Sequence, residues 1–246
     1  MNDIVRKYKY EIYLLFLTSI ILGLRLIHLS KEEYGLFFDE SQYWFWSLTY
    51  EWGYYSKPPM VAWLIGLTTY TCDSEFCIRL SSPILYFITT INIFLIAKEL
   101  FNKKVAFYSG LCFITLPAVT VSSYLVSTDP SLLFFWSLSL LFYVYANKTQ
   151  KTYWWLLAGL AAGLGMMSKY NMVLFLLSVL FYEYLRNNLK NVLSNRKFWF
   201  ASTIALLVFI PNVIWNINND FVSFSHTKAN ANLEIDNLFH VKQIVY

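Results

Sequence analysis

Long apolar runs broken by short polar segments dominate the chain. A helix that crosses the hydrocarbon core needs about 20 mainly apolar residues. Seven stretches approach that length: residues 10–29, 80–98, 104–126, 130–147, 153–168, 170–186 and 197–216. The two at 153–168 and 170–186 are short and are joined through Ser168-Lys169-Tyr170, which predicts a tight hairpin with its ends near one membrane face. The first run, from Ile12 to Leu29, follows Arg6, Lys7 and Lys9 and lacks a small-residue cleavage site. It predicts an uncleaved first span and not a signal peptide. The pattern as a whole predicts an all-α, polytopic transmembrane helical bundle of about seven spans.

Composition supports a bilayer as the solvent. The chain is 57% hydrophobic and 14% charged, with a mean hydropathy of +0.46, whereas a soluble domain carries about 25% charged residues. The net charge is +4. Its basic residues are scattered between apolar runs and form no stripe, which argues against nucleic acid as a partner. Twelve of the 19 Lys and Arg fall in four short segments on one side of the predicted spans: Arg6, Lys7 and Lys9; Lys98, Lys103 and Lys104; Lys148 and Lys151; Arg186, Lys190, Arg196 and Lys197. Basic loops stay in the cytoplasm, so the N-terminus is expected there and residues 216–246 on the far side. High Asn, Lys, Ile and Tyr content with short loops points to a bacterial inner (plasma) membrane. The chain turns polar after Asp220 and stops at Val245-Tyr246, in what reads as the start of another apolar segment. The expectation is a truncated or split product: residues 1–246 as an N-terminal transmembrane module, with a C-terminal part encoded separately.

The chemically loaded segment is the first loop on the non-cytoplasmic side, residues 30–79. Unstructured loops of that length are uncommon without a role. It holds Trp44, Trp46, Trp52 and Trp63 with Tyr43, Tyr50, Tyr54 and Tyr55, residues that favour the headgroup level. Ser41–Trp52 and Met60–Thr71 are predicted as helices lying in the interface plane, separated by Gly53-Tyr54-Tyr55-Ser56-Lys57-Pro58-Pro59, whose prolines stop a helix. Asp39 and Glu40 open the first of these helices. Acidic residues serve there as caps, but a charged pair at a membrane surface also marks a cavity. Lys57 lies in the same loop, and Asp129 and Lys169 fall at the mouths of the fourth and sixth spans on the same side. Each has a plain alternative: Asp129 as the acidic N-cap ahead of Pro130, Lys169 as a snorkelling lysine, and Arg25 and Arg79 likewise. Cys72 and Cys77 lie close enough in sequence to allow a disulfide, without the spacing proving one. Cys112, inside an apolar run, reads as a small core residue.

Acidic and basic groups around one pocket at the outer membrane surface suit a lipid-phosphate substrate: a carboxylate takes the proton of an acceptor, and cations hold the phosphate that leaves. No G-x-G-x-x-G, no G-K-[ST] loop and no Asp-x-Asp pair is present, so no nucleotide site is expected. His28, His226 and His240 are too scattered to suggest a metal site, and no cofactor is expected.

These residues resemble a known family. Asp39-Glu40 after a first span, followed by Tyr54-Tyr55-Ser56-Lys57-Pro58-Pro59-Met60-Val61-Ala62-Trp63-Leu64, is similar to the first outer loop of the GT-C polyprenyl-phosphate-sugar glycosyltransferases. That group includes protein O-mannosyltransferases, the lipid A aminoarabinose transferase and rhizobial galacturonosyltransferases. Glu75-Phe76-Cys77-Ile78-Arg79-Leu80, Ser127-Thr128-Asp129-Pro130, Gly159 to Gly165 leading into Ser168-Lys169-Tyr170, and Pro211-Asn212-Val213-Ile214-Trp215-Asn216 match in the same order, over about residues 10–230. The resemblance implies a GT-C-type bundle that moves a sugar from a polyprenyl-phosphate donor, with inversion, to a lipid A, glycan or protein acceptor. It implies Asp39 as general base with Glu40 in support, and Lys57, Asp129, Lys169, Tyr55 and Arg79 as donor-phosphate or substrate contacts. Members usually continue with more spans and often a soluble outer domain. A transporter or lipid-handling protein, which would show repeated halves and mid-membrane charge, and an inactive fragment are the competing expectations.

Overall fold

A computed structural model of the protein describes residues 7–31 and 34–230. Arg6, His240 and the terminal Val245-Tyr246 lie outside the described residues. Within them the chain is helical, with no strand. Four helices are long and apolar enough to cross a membrane: α1 (Lys9–Leu29), the nearly continuous unit Glu75–Leu100 made of α4 (Glu75–Arg79) and α5 (Ser81–Leu100), α8 (Thr128–Thr149) and α12 (Arg196–Asn218). The other three segments predicted as spans are shorter. Residues 152–168 form α9 (Thr152–Ser168). A 3₁₀ turn, Tyr170–Met172, then leads into α10 (Val173–Leu185), so the predicted hairpin pivots on Lys169, and the short α11 (Leu189–Ser194) connects onward to α12.

The segment 104–126, expected as one span, is broken into α6 (Lys103–Thr115) and α7 (Pro117–Ser122). Pro117 has no N–H and pushes Leu116 out of the helical region, to ψ 133°. The break strands the carbonyl of Ile114, and Arg25 fills the gap. Its Nη2 donates to Ile114 O at 2.7 Å and to Thr120 Oγ1 at 3.2 Å. Arg25 is therefore buried across the kink and does not snorkel. Cys112, expected in the core, is exposed. The buried stripe of α6 runs Ala106, Gly110, Ile114, and a residue two positions off that stripe faces away.

Neighbouring helices form a row: α1 packs on α6, α6 on α5, α5 on α8, α8 on α9 and α9 on α12. Polar contacts join them in places, as where Asn92 Nδ2 donates to Ser137 Oγ at 3.0 Å between α5 and α8. Large apolar side chains face outward, among them Phe16, Leu24 and Ile27 on α1, Leu177 and Phe181 on α10, and Leu206 and Leu207 on α12. A surface this apolar requires lipid around it. Against the middle members of the row lie α2 (Phe38–Ser47) and α3 (Met60–Thr69), with α3 seated against α5, α8 and α9. Both are shorter than expected: residues 48–52 turn instead of continuing α2, and α3 ends at Thr69. Cys72 and Cys77 are joined by a disulfide just after α3.

The glycines at 159 and 163 set a close helix contact. A Cβ on Gly159 would lie 2.1 Å from the carbonyl oxygen of Ala201, and one on Gly163 would lie 2.7 Å from Val208 Cβ. Small residues four apart let α9 and α12 approach backbone to backbone. Gly159→Ala is expected to cost about 1–3 kcal/mol by overpacking. Gly23→Ala, at a helix position with nothing within 4 Å, should be neutral or gain about 0.5–1 kcal/mol from helix propensity. Thermal midpoints of the purified variants in detergent check this, and equal midpoints for the two would contradict the packing argument.

Candidate active site

The site is built at the end of the bundle where α2 meets the 48–59 segment. Pro58 and Pro59 end the extended stretch, and α3 starts at Met60. The stretch before them is tied down at several points. Tyr54 N donates to Lys57 O at 3.1 Å and closes a turn around Tyr55 and Ser56. Tyr54 Oη donates to Trp46 O at 2.8 Å, and its ring stacks on Trp46 with centroids 4.9 Å apart. Tyr43, Trp46 and Tyr54 are thus buried in a cluster with Val61, Ala62 and Ile65. The loop aromatics divide: these three form a small core under the site, while Tyr50, Trp52 and Tyr55 are exposed, as interface anchors are.

The far end of α12 completes the support. Asn212 Nδ2 donates to Trp52 O at 2.7 Å, Trp215 Nε1 donates to Glu51 Oε2 at 3.2 Å, and Tyr170 Oη donates to Asn212 Oδ1 at 3.3 Å. Gly53 is required here, because a Cβ would sit 2.5 Å from the Trp215 ring. The Pro211–Asn216 motif therefore holds the 51–54 backbone in place. After α12 the chain turns through Asp220 and Phe221, both at φ 54°, into α13 (Val222–Asn230). There the Ser223 hydroxyl donates to Tyr54 O.

This scaffold forms an open cavity of about 390 Å³ lined by Phe38, Asp39, Gln42, Tyr43, Tyr55, Ser56, Lys57 and His226. Three of the residues singled out in the sequence, Asp39, Tyr55 and Lys57, share it. Asp39 lies in the exposed first turn of α2, where the free N–H groups of a helix favour a carboxylate. Tyr43 is held neutral: burial, then the charges of Asp39 and Asp129, push its phenol up to about 12. Both carboxylates therefore act on the same phenol.

The remaining candidates lie outside the lining. Glu40 is buried and paired with Arg79, whose Nη2 donates to Oε2 at 2.7 Å and Nε to Oε1 at 3.0 Å. Glu40 also accepts from Phe37 N at 3.1 Å, capping α2, and from Val126 N at 2.8 Å. Arg79 donates further to Tyr34 O and Gly35 O. The snorkelling alternative for Arg79 is thereby replaced by a buried ion pair. Asp129 and Lys169 meet at 2.6 Å and bridge the start of α8 to the α9–α10 pivot. The N-cap of α8 is Ser127, whose Oγ accepts from Asp129 N, and not Asp129. The Asp129 carboxylate is left to bind Lys169.

Sequence reasoning missed Gln42, Tyr43, Ser56 and His226. Gln42 is three residues after Asp39 on α2, so it shares its face, and Ser56 abuts Lys57. No local signal marks His226, which reaches the cavity only through the return of α13. Among the described residues no group of three His, Cys, Asp or Glu side chains is placed to hold a metal ion.

Residues 56–215 match the family model described as dolichyl-phosphate-mannose-protein mannosyltransferase. The chain is 34% identical, over 219 residues, to the lipid A galacturonosyltransferase RgtD of Rhizobium johnstonii. The alignment covers 85% of this chain and 45% of that protein, so the chain spans about half the length of the curated relative it matches. No solved structure matches it. On the helical bundle, the ordered motifs and the family match over most of its length, this chain belongs to the dolichyl-phosphate-mannose-protein mannosyltransferase family of GT-C glycosyltransferases.

Proposed function

We propose that this protein is a membrane glycosyltransferase that moves a sugar from a polyprenyl-phosphate donor to a hydroxyl of lipid A, at the non-cytoplasmic face of a bacterial inner membrane, with its N-terminus in the cytoplasm. One observation carries the reading: Asp39 and Lys57, a carboxylate and an ammonium, line the same cavity at one end of a lipid-embedded bundle. The acceptor follows the name of the relative aligned over 85% of the chain. The orientation follows the basic segments, which gather at the opposite end. There Glu11 pairs with Lys98 at 3.1 Å and Lys103 at 2.9 Å, and Lys148 pairs with Glu99 at 2.6 Å.

The reaction needs three things that these residues supply. Asp39 takes the proton of the acceptor hydroxyl as its oxygen bonds to the anomeric carbon of the sugar. The bond from that carbon to the phosphate oxygen breaks, and its electron pair leaves with polyprenyl phosphate. Lys57 faces the charge that grows on that oxygen, where a fixed cation stabilises the transition state more than the ground state. Attack opposite the leaving phosphate inverts the anomeric centre. The Asp129–Lys169 pair lies outside the lining, and Asp129 acts on the sugar or acceptor side through its charge, which reaches Tyr43. Glu40 and Arg79 act at one remove, by holding the helix that carries Asp39. Ion pairs at the two ends of the bundle, with none midway along the described helices, favour chemistry at a rim over transport through the middle.

Mass spectrometry of lipid extracted from the purified chain tests the donor assignment. The expected finding is a polyprenyl-phosphate sugar, reduced several-fold in Lys57→Ala. Recovery of bulk phospholipid alone, from both proteins, would end the proposal.

A further inference from the structure

The cavity contains one imidazole, and neither the motifs nor the family match accounts for it. His226 lies beyond residues 56–215, the matched segment, yet it lines the cavity with Asp39 and Lys57. Its position is built. The Ser223 hydroxyl binds Tyr54 O, the Phe224 ring packs on Tyr170 with centroids 4.8 Å apart, and the imidazole meets the Tyr55 ring edge-on at 5.1 Å. These contacts place His226 on the Tyr55–Lys57 side of the cavity, whereas Asp39 comes from α2. The cavity thus has a carboxylate from α2, an ammonium from the 54–57 turn and an imidazole from α13. The remaining candidate cations are engaged elsewhere, Lys169 with Asp129 and Arg79 with Glu40.

We infer that His226 is a second phosphate ligand: it donates an imidazole N–H to the polyprenyl phosphate, beside the ammonium of Lys57. The inference rests on the donor site proposed above. When the sugar–phosphate bond breaks, the phosphodiester monoanion becomes a phosphomonoester with an additional negative charge on the released oxygen. One ammonium faces two charge equivalents at that point, and a further N–H donor stabilises the second by a hydrogen bond to a charged oxygen.

Binding of a long-chain polyprenyl phosphate, and of the matching polyprenol as control, is measured for the full chain in nanodiscs. His226→Ala is expected to weaken the phosphate about tenfold, as loss of a hydrogen bond to a charged group does, and to leave the polyprenol unchanged. His226→Gln, which keeps an N–H donor, should recover most of the difference. Phosphate affinity within twofold of wild type in His226→Ala overturns the inference, as does an equal loss for both lipids. Lys57→Ala separates the two levels. If it weakens the phosphate while His226→Ala does not, only the role of His226 fails. If neither variant does, the donor site itself is wrong.

Discussion

Asp39→Asn is expected to lower sugar transfer to lipid A by about 10²–10⁴-fold, the range lost when a positioned general base is removed, while the protein inserts and folds as before. The substitution keeps the shape of the side chain and removes only its capacity to take a proton. Its structural cost is small because Asp39 is exposed and makes no ion pair among the described residues. What folding loses is the favourable charge in the first turn of α2, about 0.3–1 kcal/mol for an exposed helix terminus. Donor binding should survive, since the cation on the phosphate side is untouched. The assay is transfer of labelled sugar from a polyprenyl-phosphate donor in membranes of cells that express the chain, with the variant quantified in the same membranes. Lys57→Ala serves as the complement, expected to reduce both donor retention and rate. Transfer by Asp39→Asn within twofold of wild type would remove Asp39 from the role of base and leave the cavity without an assigned acid–base group.

Much of this site is legible in the sequence because its parts sit at element boundaries. Asp39 sits in the first turn of an aromatic helix, Lys57 precedes Pro58-Pro59, and Asp129 follows a Ser cap; each is placed by local rules before any tertiary contact forms. The helical bundle is legible for the same reason, since apolar length alone sets a span. Other features depend on partners distant in sequence, and there the residue type misleads. Arg25 and Arg79 look like snorkelling residues, yet one fills the carbonyl gap left by Pro117 and the other pairs with Glu40. Cys112 looks apolar and therefore internal, but in a bilayer the outer face is apolar too, so hydrophobicity does not tell core from surface. His226 could be found only by knowing that the chain returns over Tyr54. The span at 104–126 fails on a single residue: hydropathy carries straight through Pro117, and backbone geometry does not.

The pair Glu40–Arg79 yields the largest expected loss of stability. Both side chains are nearly inaccessible, at 2% and 4% exposure. Removing one partner from a buried ion pair costs about 3–5 kcal/mol, and the loss of Glu40 falls toward the lower end because Arg79 keeps Glu75 at 3.7 Å. Glu40→Ala also strips the acceptor from Phe37 N and Val126 N, so the start of α2 and the lead into α8 lose their shared anchor. Arg79→Ala leaves the Glu40 carboxylate buried with only those two backbone donors. Each single variant should therefore show a sharply lowered thermal midpoint in detergent and poor recovery from membranes. The double variant should be less damaged than the sum of the two, with a coupling of about 0.5–3 kcal/mol, as contacting residues show. Transfer activity should fall in proportion to folded protein and to the displacement of Asp39, the immediate neighbour of Glu40 on α2. This discriminates between two roles for Glu40. A carboxylate that touches substrate would lose activity at unchanged stability, whereas a carboxylate spent on Arg79 loses stability first. If Glu40→Ala unfolds at the wild-type temperature, the ion pair does not hold α2, and Glu40 returns to the chemistry of the site.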